Sequence, residues 1–83
     1  MSPHPGEFLR AELGERGMTQ SELARRMGVS IQVVNYICRG RRKLSAKHAV
    51  ALEAVLGSDA RTWLTLQMLF DLDLARAKRK ATP

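Results

Sequence analysis

Apolar residues recur along this chain at helical spacing, in five segments that glycines and short polar runs separate. No segment alternates apolar and polar residues over the length of a strand. We therefore expect an all-α fold, a five-helix bundle that forms one domain over residues 1–83. The predicted helices span about residues 5–16, 20–27, 31–39, 46–56 and 60–77. The core positions include Phe8, Leu9, Leu13, Leu23, Ala24, Met27, Ala49, Val50, Leu52 and Val55.

Capping residues mark the second and third predicted helices. Thr19 is expected to cap the second, and Glu22 three residues later completes a capping box. Gly28 stands where that helix must end with positive φ, and Ser30 caps the next helix. The pattern predicts two short helices joined by a tight turn, a helix-turn-helix over about residues 19–38.

The third predicted helix has a buried side and a free side. At about 100° per residue, Val34, Ile37 and Cys38 fall together and face the core. Glutamine and asparagine on the other side can make paired hydrogen bonds to adenine, and arginine can do so to guanine. This arrangement favours a helix that enters the major groove of DNA. The predicted base-contacting residues are Ile31, Gln32, Asn35, Tyr36 and Arg39.

The net charge of +6 is concentrated in two places. Residues 39–47 carry five basic side chains and no acidic one, and residues 76–80 carry four basic side chains. A concentrated basic patch is what binding to a polyanion requires, although a solvated surface is the alternative, above all for residues 76–80. The predicted phosphate contacts are Gln20, Ser30, Arg41, Arg42 and Lys43.

Little in the sequence suggests an enzyme. Cys38 is the single cysteine, so no disulfide can form within the chain, and we expect it to be a buried apolar residue. His4 and His48 have no partners at metal-ligand spacing, and we expect no metal and no cofactor. The chain shows no signal peptide and no apolar run of about 20 residues, so we expect a cytoplasmic protein that meets no membrane.

The last predicted helix is apolar around most of its circumference, and a helix of this kind is buried on more than one side. We therefore expect a homodimer with two-fold symmetry, although a groove in the protein's own domain is the alternative. The predicted interface consists of Trp63, Leu66, Leu69, Phe70 and Leu74.

Four segments carry a resemblance to a known family. The run from Gln20 to Ser30 resembles the helix-turn-helix of Xre/Cro repressors, a lambda-repressor-like DNA-binding domain. The other segments are similar to those of HigA-type antitoxins of bacterial type II toxin–antitoxin modules. They are His4-Pro5-Gly6-Glu7, Asn35 followed by Gly40-Arg41-Arg42-Lys43, and the run from Trp63 to Leu72. The resemblance covers about residues 4–75.

The resemblance implies a dimer without catalytic activity that binds a palindromic operator in double-stranded DNA, represses its own operon and neutralises a small ribonuclease toxin. Relatives often carry arginine at the positions of Ile31 and Val33, and the apolar residues here suggest contacts with thymine methyl groups, or weaker contacts, at those positions. A free-standing repressor of phage or controller type is the alternative. A third hypothesis is a helical adaptor that never meets DNA.

Overall fold

The structure, a computed structural model, describes residues 1–81 and contains five α-helices in that range. These are α1 (Pro5–Arg16), α2 (Gln20–Met27), α3 (Ile31–Cys38), α4 (Ala46–Leu56) and α5 (Ala60–Ala81). No residue of this range lies in a strand, and the predicted all-α fold is confirmed.

The fifth helix differs from the prediction at its end. It continues to Ala81, beyond the predicted end at about residue 77, and so includes part of the predicted tail from Lys78 onward. The tail is rich in alanine, lysine and arginine, which favour helix, and cations stabilise a helix at its C-terminal end. The last part of the predicted tail, residues 82–83, lies outside the described residues.

The predicted caps around the turn are present. Thr19 Oγ1 accepts a hydrogen bond from the Glu22 N–H at 3.0 Å, and Ser30 Oγ accepts one from the Val33 N–H at 3.3 Å. Gly28 ends α2 with φ 73°, a conformation that costs glycine little. The Glu22 carboxylate accepts from Arg26 at 2.9 Å rather than completing the box. Local signals thus fix the angle at which α3 leaves the turn.

The core lies between α1, α2, α3 and α4. Its centre consists of fully buried aliphatic side chains, Leu9, Leu23, Val34, Ile37, Leu44, Ala49 and Leu52. Two predicted core residues are wrong, because Phe8 is 43% exposed and Val50 is 58% exposed. Each lies one residue, or about 100°, from a buried neighbour on its helix. The apolar stripes are therefore narrower than the sequence suggested.

Helices α1 and α3 approach each other closely at Gly6. A Cβ atom at this position would lie 1.9 Å from the carbonyl oxygen of Ile37, far inside van der Waals contact. Only glycine therefore permits this packing, and the start of α1 rests against the last turn of α3. The contact fixes the helix that carries the predicted base-reading residues.

Helix α5 crosses the body and is anchored by Trp63 and Gln67, which are buried. Gln67 Oε1 accepts from the backbone N–H of Leu44 at 2.8 Å, and Gln67 Nε2 donates to Asp71 at 3.0 Å. The first bond ties α5 to the segment between α3 and α4, and the second, within α5, holds the Gln67 amide in place. We call residues 39–43 in that segment the basic loop.

Candidate nucleic-acid interface

Helix α3 presents the predicted base-contacting residues as expected on its free side. Ile31, Gln32, Tyr36 and Arg39 are exposed, and Asn35 is half-buried. The opposite side is closed by packing, since Val34, Ile37 and Cys38 are all buried. The free side therefore offers two amide groups, a phenol, a guanidinium and an aliphatic side chain, which suit the polar edges and thymine methyl groups of a major groove.

Two of these side chains are held by each other. Gln32 Nε2 donates a hydrogen bond to the hydroxyl oxygen of Tyr36 at 3.0 Å, across one turn of the helix. The bond limits the conformations that either side chain adopts before DNA arrives. An ordered donor–acceptor pair loses less entropy on binding than two free side chains.

A second pair joins the two helices of the motif. Asn35 Nδ2 donates to Gln20 Oε1 at 3.2 Å, so the first residue of α2 holds a side chain in the middle of α3. Sequence analysis placed both residues at the interface and missed that they contact each other. Because they are 15 positions apart, no helical periodicity could have revealed the pair.

The predicted phosphate contacts flank this face. Ser30, Arg41 and Arg42 are exposed, and Gln20 is half-buried beside Asn35. Lys43 pairs with Asp71 of α5, with Nζ and Oδ2 3.6 Å apart. An exposed pair of this kind is worth little, so a phosphate can compete for the lysine.

Basic side chains in and next to the basic loop affect the nearby His48. The pKa of His48, in the first turn of α4, is lowered by burial first and then by the charges of Arg42 and Lys47. Lys47, next to His48, is exposed. It belongs to the basic run 39–47 but is not among the predicted phosphate contacts. Its place in the first turn of a capped helix makes it a further candidate, because the helix dipole also attracts anions there.

The predicted dimer residues lie in different environments. Trp63 is 5% exposed and belongs to the protomer's own core, so it has little surface left for a partner. Leu66 and Phe70 are half-buried, and Leu69 and Leu74 are exposed.

The outward side of α5 carries an apolar surface that we call the outer stripe, made of Met68, Leu69 and Leu72. These side chains are 51%, 41% and 40% exposed and fall within about 100° on the helix. The tryptophan faces away from this stripe. Exposed apolar side chains in one patch are typical of an interaction surface.

Within residues 1–81, no helix is both long enough and apolar enough to span a bilayer. In the same range, no cluster of three or more histidine, cysteine, aspartate or glutamate side chains is arranged to bind a metal ion. Cys38 is buried, and burial raises the pKa of its thiol.

Comparison with known sequences gives matches over most of the chain. The sequence model of the family described as Helix-turn-helix matches residues 9–63, which includes α2, α3 and the basic loop. Virulence-associated protein I of Dichelobacter nodosus is 37% identical over 79 residues, which make up 94% of this chain and 73% of that protein.

Solved structures give similar matches. The antitoxin GraA superposes with a TM-score of 0.91 and 40% identity, over 95% of this chain and 86% of that one. The Pseudomonas aeruginosa antitoxin HigA, solved with the higBA promoter, superposes with a TM-score of 0.92 and 36% identity. That match covers 98% of this chain and 89% of the other.

Proposed function

Because the chain belongs to the helix-turn-helix family that matches residues 9–63, we propose that it is the antitoxin of a type II toxin–antitoxin module. The family is a class of DNA-binding regulators and not of enzymes. In this role the protein binds a palindromic operator as a homodimer and represses its own operon. It also neutralises a small ribonuclease toxin encoded beside it.

One observation carries the DNA-binding part of the proposal. The free side of α3 presents Gln32 and Asn35 as members of ordered hydrogen-bonded pairs, directly before the exposed basic loop. Base-reading groups on a helix, flanked by cations for the phosphates, are the two components of specific recognition. The likeness to an antitoxin solved with its promoter supports the same conclusion.

The antitoxin part is supported by the likeness to the antitoxins GraA and HigA and is tested separately. We expect that expressing the small gene adjacent to this one arrests growth, and that co-expressing this chain restores it. The two purified proteins should then elute as one complex. Growth arrest that this chain does not relieve would instead favour a free-standing repressor without a toxin.

Gln32→Ala is expected to weaken binding to the operator by about 1–3 kcal/mol and to relax the preference at one base pair. The loss follows from removing an amide that pairs with a base edge. Titrations against operators changed at single positions would measure it. Tyr36→Phe is a comparison variant, since it breaks the same 3.0 Å bond and leaves the Gln32 amide in place; because Tyr36 is itself a predicted base contact, a change in preference that it causes should fall at a different base pair. Equal losses on operator and random DNA for Gln32→Ala would refute its role in reading bases.

Arg42→Ala is expected to weaken binding to all sequences alike and to reduce the slope of log affinity against log salt by about one. The guanidinium of Arg42 is exposed in the basic loop. A contact with a phosphate does not depend on the base sequence, so its loss should affect all DNAs equally. Arg61→Ala is the matched control, because it removes the same charge in the first turn of α5, where Arg61 is exposed and pairs with Asp59 at 2.9 Å. An unchanged slope for the Arg42 variant would remove this residue from the interface.

The double variant Leu69→Gln/Leu72→Gln is expected to convert a dimer to a monomer and to weaken operator binding at least about tenfold, because two linked half-site contacts become independent. Light scattering after size exclusion and operator titration would measure both effects. Val50→Gln removes a side chain that is 58% exposed on α4 and is the control. A dimer that persists in the double variant would show that the outer stripe is not its interface.

A further inference from the structure

His4 is buried where three parts of the molecule meet, with 6% of its surface exposed. It is the N-cap of α1, and its Nδ1 accepts a hydrogen bond from the backbone N–H of Gly6 at 2.9 Å. Because Nδ1 is an acceptor, the neutral ring carries its proton on Nε2. The Nδ1 atom is therefore bonded to α1, and Nε2–H is the donor that remains.

The rest of the ring is engaged with the basic loop. The backbone of Arg42 lies close enough to the ring to raise its pKa, and with Nδ1 occupied the polar group of the ring that remains is Nε2–H. Gly40 has φ 70°, and a Cβ atom there would meet the ring at 3.6 Å. The ring therefore lies beside the loop at Gly40, where it leaves no room to spare for a larger side chain, and beside the backbone of Arg42.

Helix α5 closes the other side of the ring. Phe70 meets His4 edge to face, with ring centroids 5.0 Å apart and planes at 78°. The next residue, Asp71, pairs with Lys43 of the basic loop. The loop is therefore joined to α5 twice, through the His4 ring and through an ion pair.

From this arrangement we propose that His4 is a positioning residue for DNA binding: its ring holds the basic loop in the conformation that presents Arg41 and Arg42 to the phosphates. The inference rests on the proposed DNA-binding function and deepens it. His4 itself makes no contact with DNA. It restricts the loop before binding, so that the entropy of ordering the loop is lost on folding rather than on association.

The charge state of the ring agrees with this role. Burial lowers the pKa of His4, while the Arg42 backbone and the carboxylates of Asp71 and Glu7 act in the opposite direction. The nearby cation on Lys43 is paired with Asp71. The ring is therefore neutral at pH 7, which Nδ1 requires in order to accept from Gly6. Protonation would remove that acceptor, and its effect should reach the loop.

A double-mutant cycle tests the proposal. Asparagine caps helices well, so His4→Asn keeps a cap on α1 and removes the ring that touches the loop. We expect His4→Asn to weaken operator binding about fivefold, the weight of one net hydrogen bond, and to lower the salt slope. The loss from Arg42→Ala should be smaller in the His4→Asn background than in the wild type. Losses from His4→Asn and Gln32→Ala should instead add, because those two residues have no common partner.

If the losses in operator affinity from His4→Asn and Arg42→Ala were additive, the proposal would be overturned. A His4 side chain that only caps α1 and stabilises the fold would not change the effect of one phosphate contact. Thermal melts of each variant confirm that binding is measured on folded protein. A second measurement needs no variant and no DNA. In NMR spectra of the wild-type chain, backbone amides of residues 40–43 should shift with acid at the same midpoint as the His4 ring.

Loop amides that shift at a midpoint unrelated to the ring would contradict the link, even if His4→Asn failed to fold. The two measurements also separate this inference from the proposed function. If the wild type shows no preference for its operator, the DNA-binding function fails. The NMR titration still decides whether His4 holds the loop.

Discussion

Trp63→Ala is expected to lower the free energy of unfolding by about 3–5 kcal/mol, as truncation of a buried large aromatic side chain does. Trp63 is the main anchor of α5 on the body and is 5% exposed. A domain of this size is stabilised by roughly 5–15 kcal/mol in total, so the variant should lose a large share of its stability. Urea denaturation followed by circular dichroism would measure the change.

Trp63→Phe is the matched control for this prediction. It retains most of the apolar contact and removes the indole Nε1, which is buried without a hydrogen-bond partner among the described residues. An unpaired buried donor costs about 1–3 kcal/mol, so its removal should offset part of the lost volume. We expect a loss clearly below that of alanine. Equal stability of Trp63→Ala and the wild type would show that α5 is not held by this residue.

Gly6→Ala is expected to lower the free energy of unfolding by about 3 kcal/mol, the upper part of the usual range for an overpacked site. The added Cβ atom would lie 1.9 Å from the carbonyl oxygen of Ile37. Because this atom belongs to the backbone, it cannot rotate away, and α1 must move from α3. The movement should also disturb His4, whose Nδ1 bonds to the same glycine.

Gly14→Ala, in the same helix, is expected to raise the free energy of unfolding. Gly14 is exposed in α1, and a Cβ atom there meets nothing within 4 Å. Alanine should therefore stabilise the helix by about 0.5–1 kcal/mol. Thermal melts of both variants would compare one substitution at two sites. A destabilised Gly14→Ala with an unchanged Gly6→Ala would contradict the packing described here.

Much of the fold could be predicted because its signals are local. Thr19 caps the start of α2, and Gly28 and Ser30 determine the turn that follows, by hydrogen bonds and φ angles that depend only on neighbouring residues. The buried side of α3 followed from spacing alone, since Val34 and Ile37 fall on one face. These are the features for which periodicity and capping chemistry are sufficient.

The sequence could not show which side chains other elements of the fold cover. The apolar circumference of α5 did not show that Trp63 faces the core while Met68 faces outward. Periodicity locates a stripe but not the elements that cover it, which is also why Phe8 and Val50 were placed inward. The buried contact from Gln67 to Leu44 left no signal in the sequence, because a polar residue in an apolar helix does not reveal its partner.

The candidate site divides in the same way. The exposure of Ile31, Gln32, Tyr36 and Arg39 agrees with the sequence-based expectation, because these residues lie on the side of α3 that packing leaves free, whereas their contacts with bases stay a prediction. The pairs that order them, such as Asn35 with Gln20, depend on the angle between two helices. The motif His4-Pro5-Gly6-Glu7 was noted only as a resemblance, and its contacts with the basic loop emerged from the tertiary structure.

The central claim is that this protein is a dimeric repressor that recognises one DNA sequence. The most direct test is a titration of the purified chain with the DNA upstream of its own gene and with random DNA of equal length, across a salt series. We expect binding to the upstream DNA to be at least about 10³-fold tighter, with two chains on each site. Weak and equal binding to both DNAs would contradict the claim and favour a helical adaptor that binds protein.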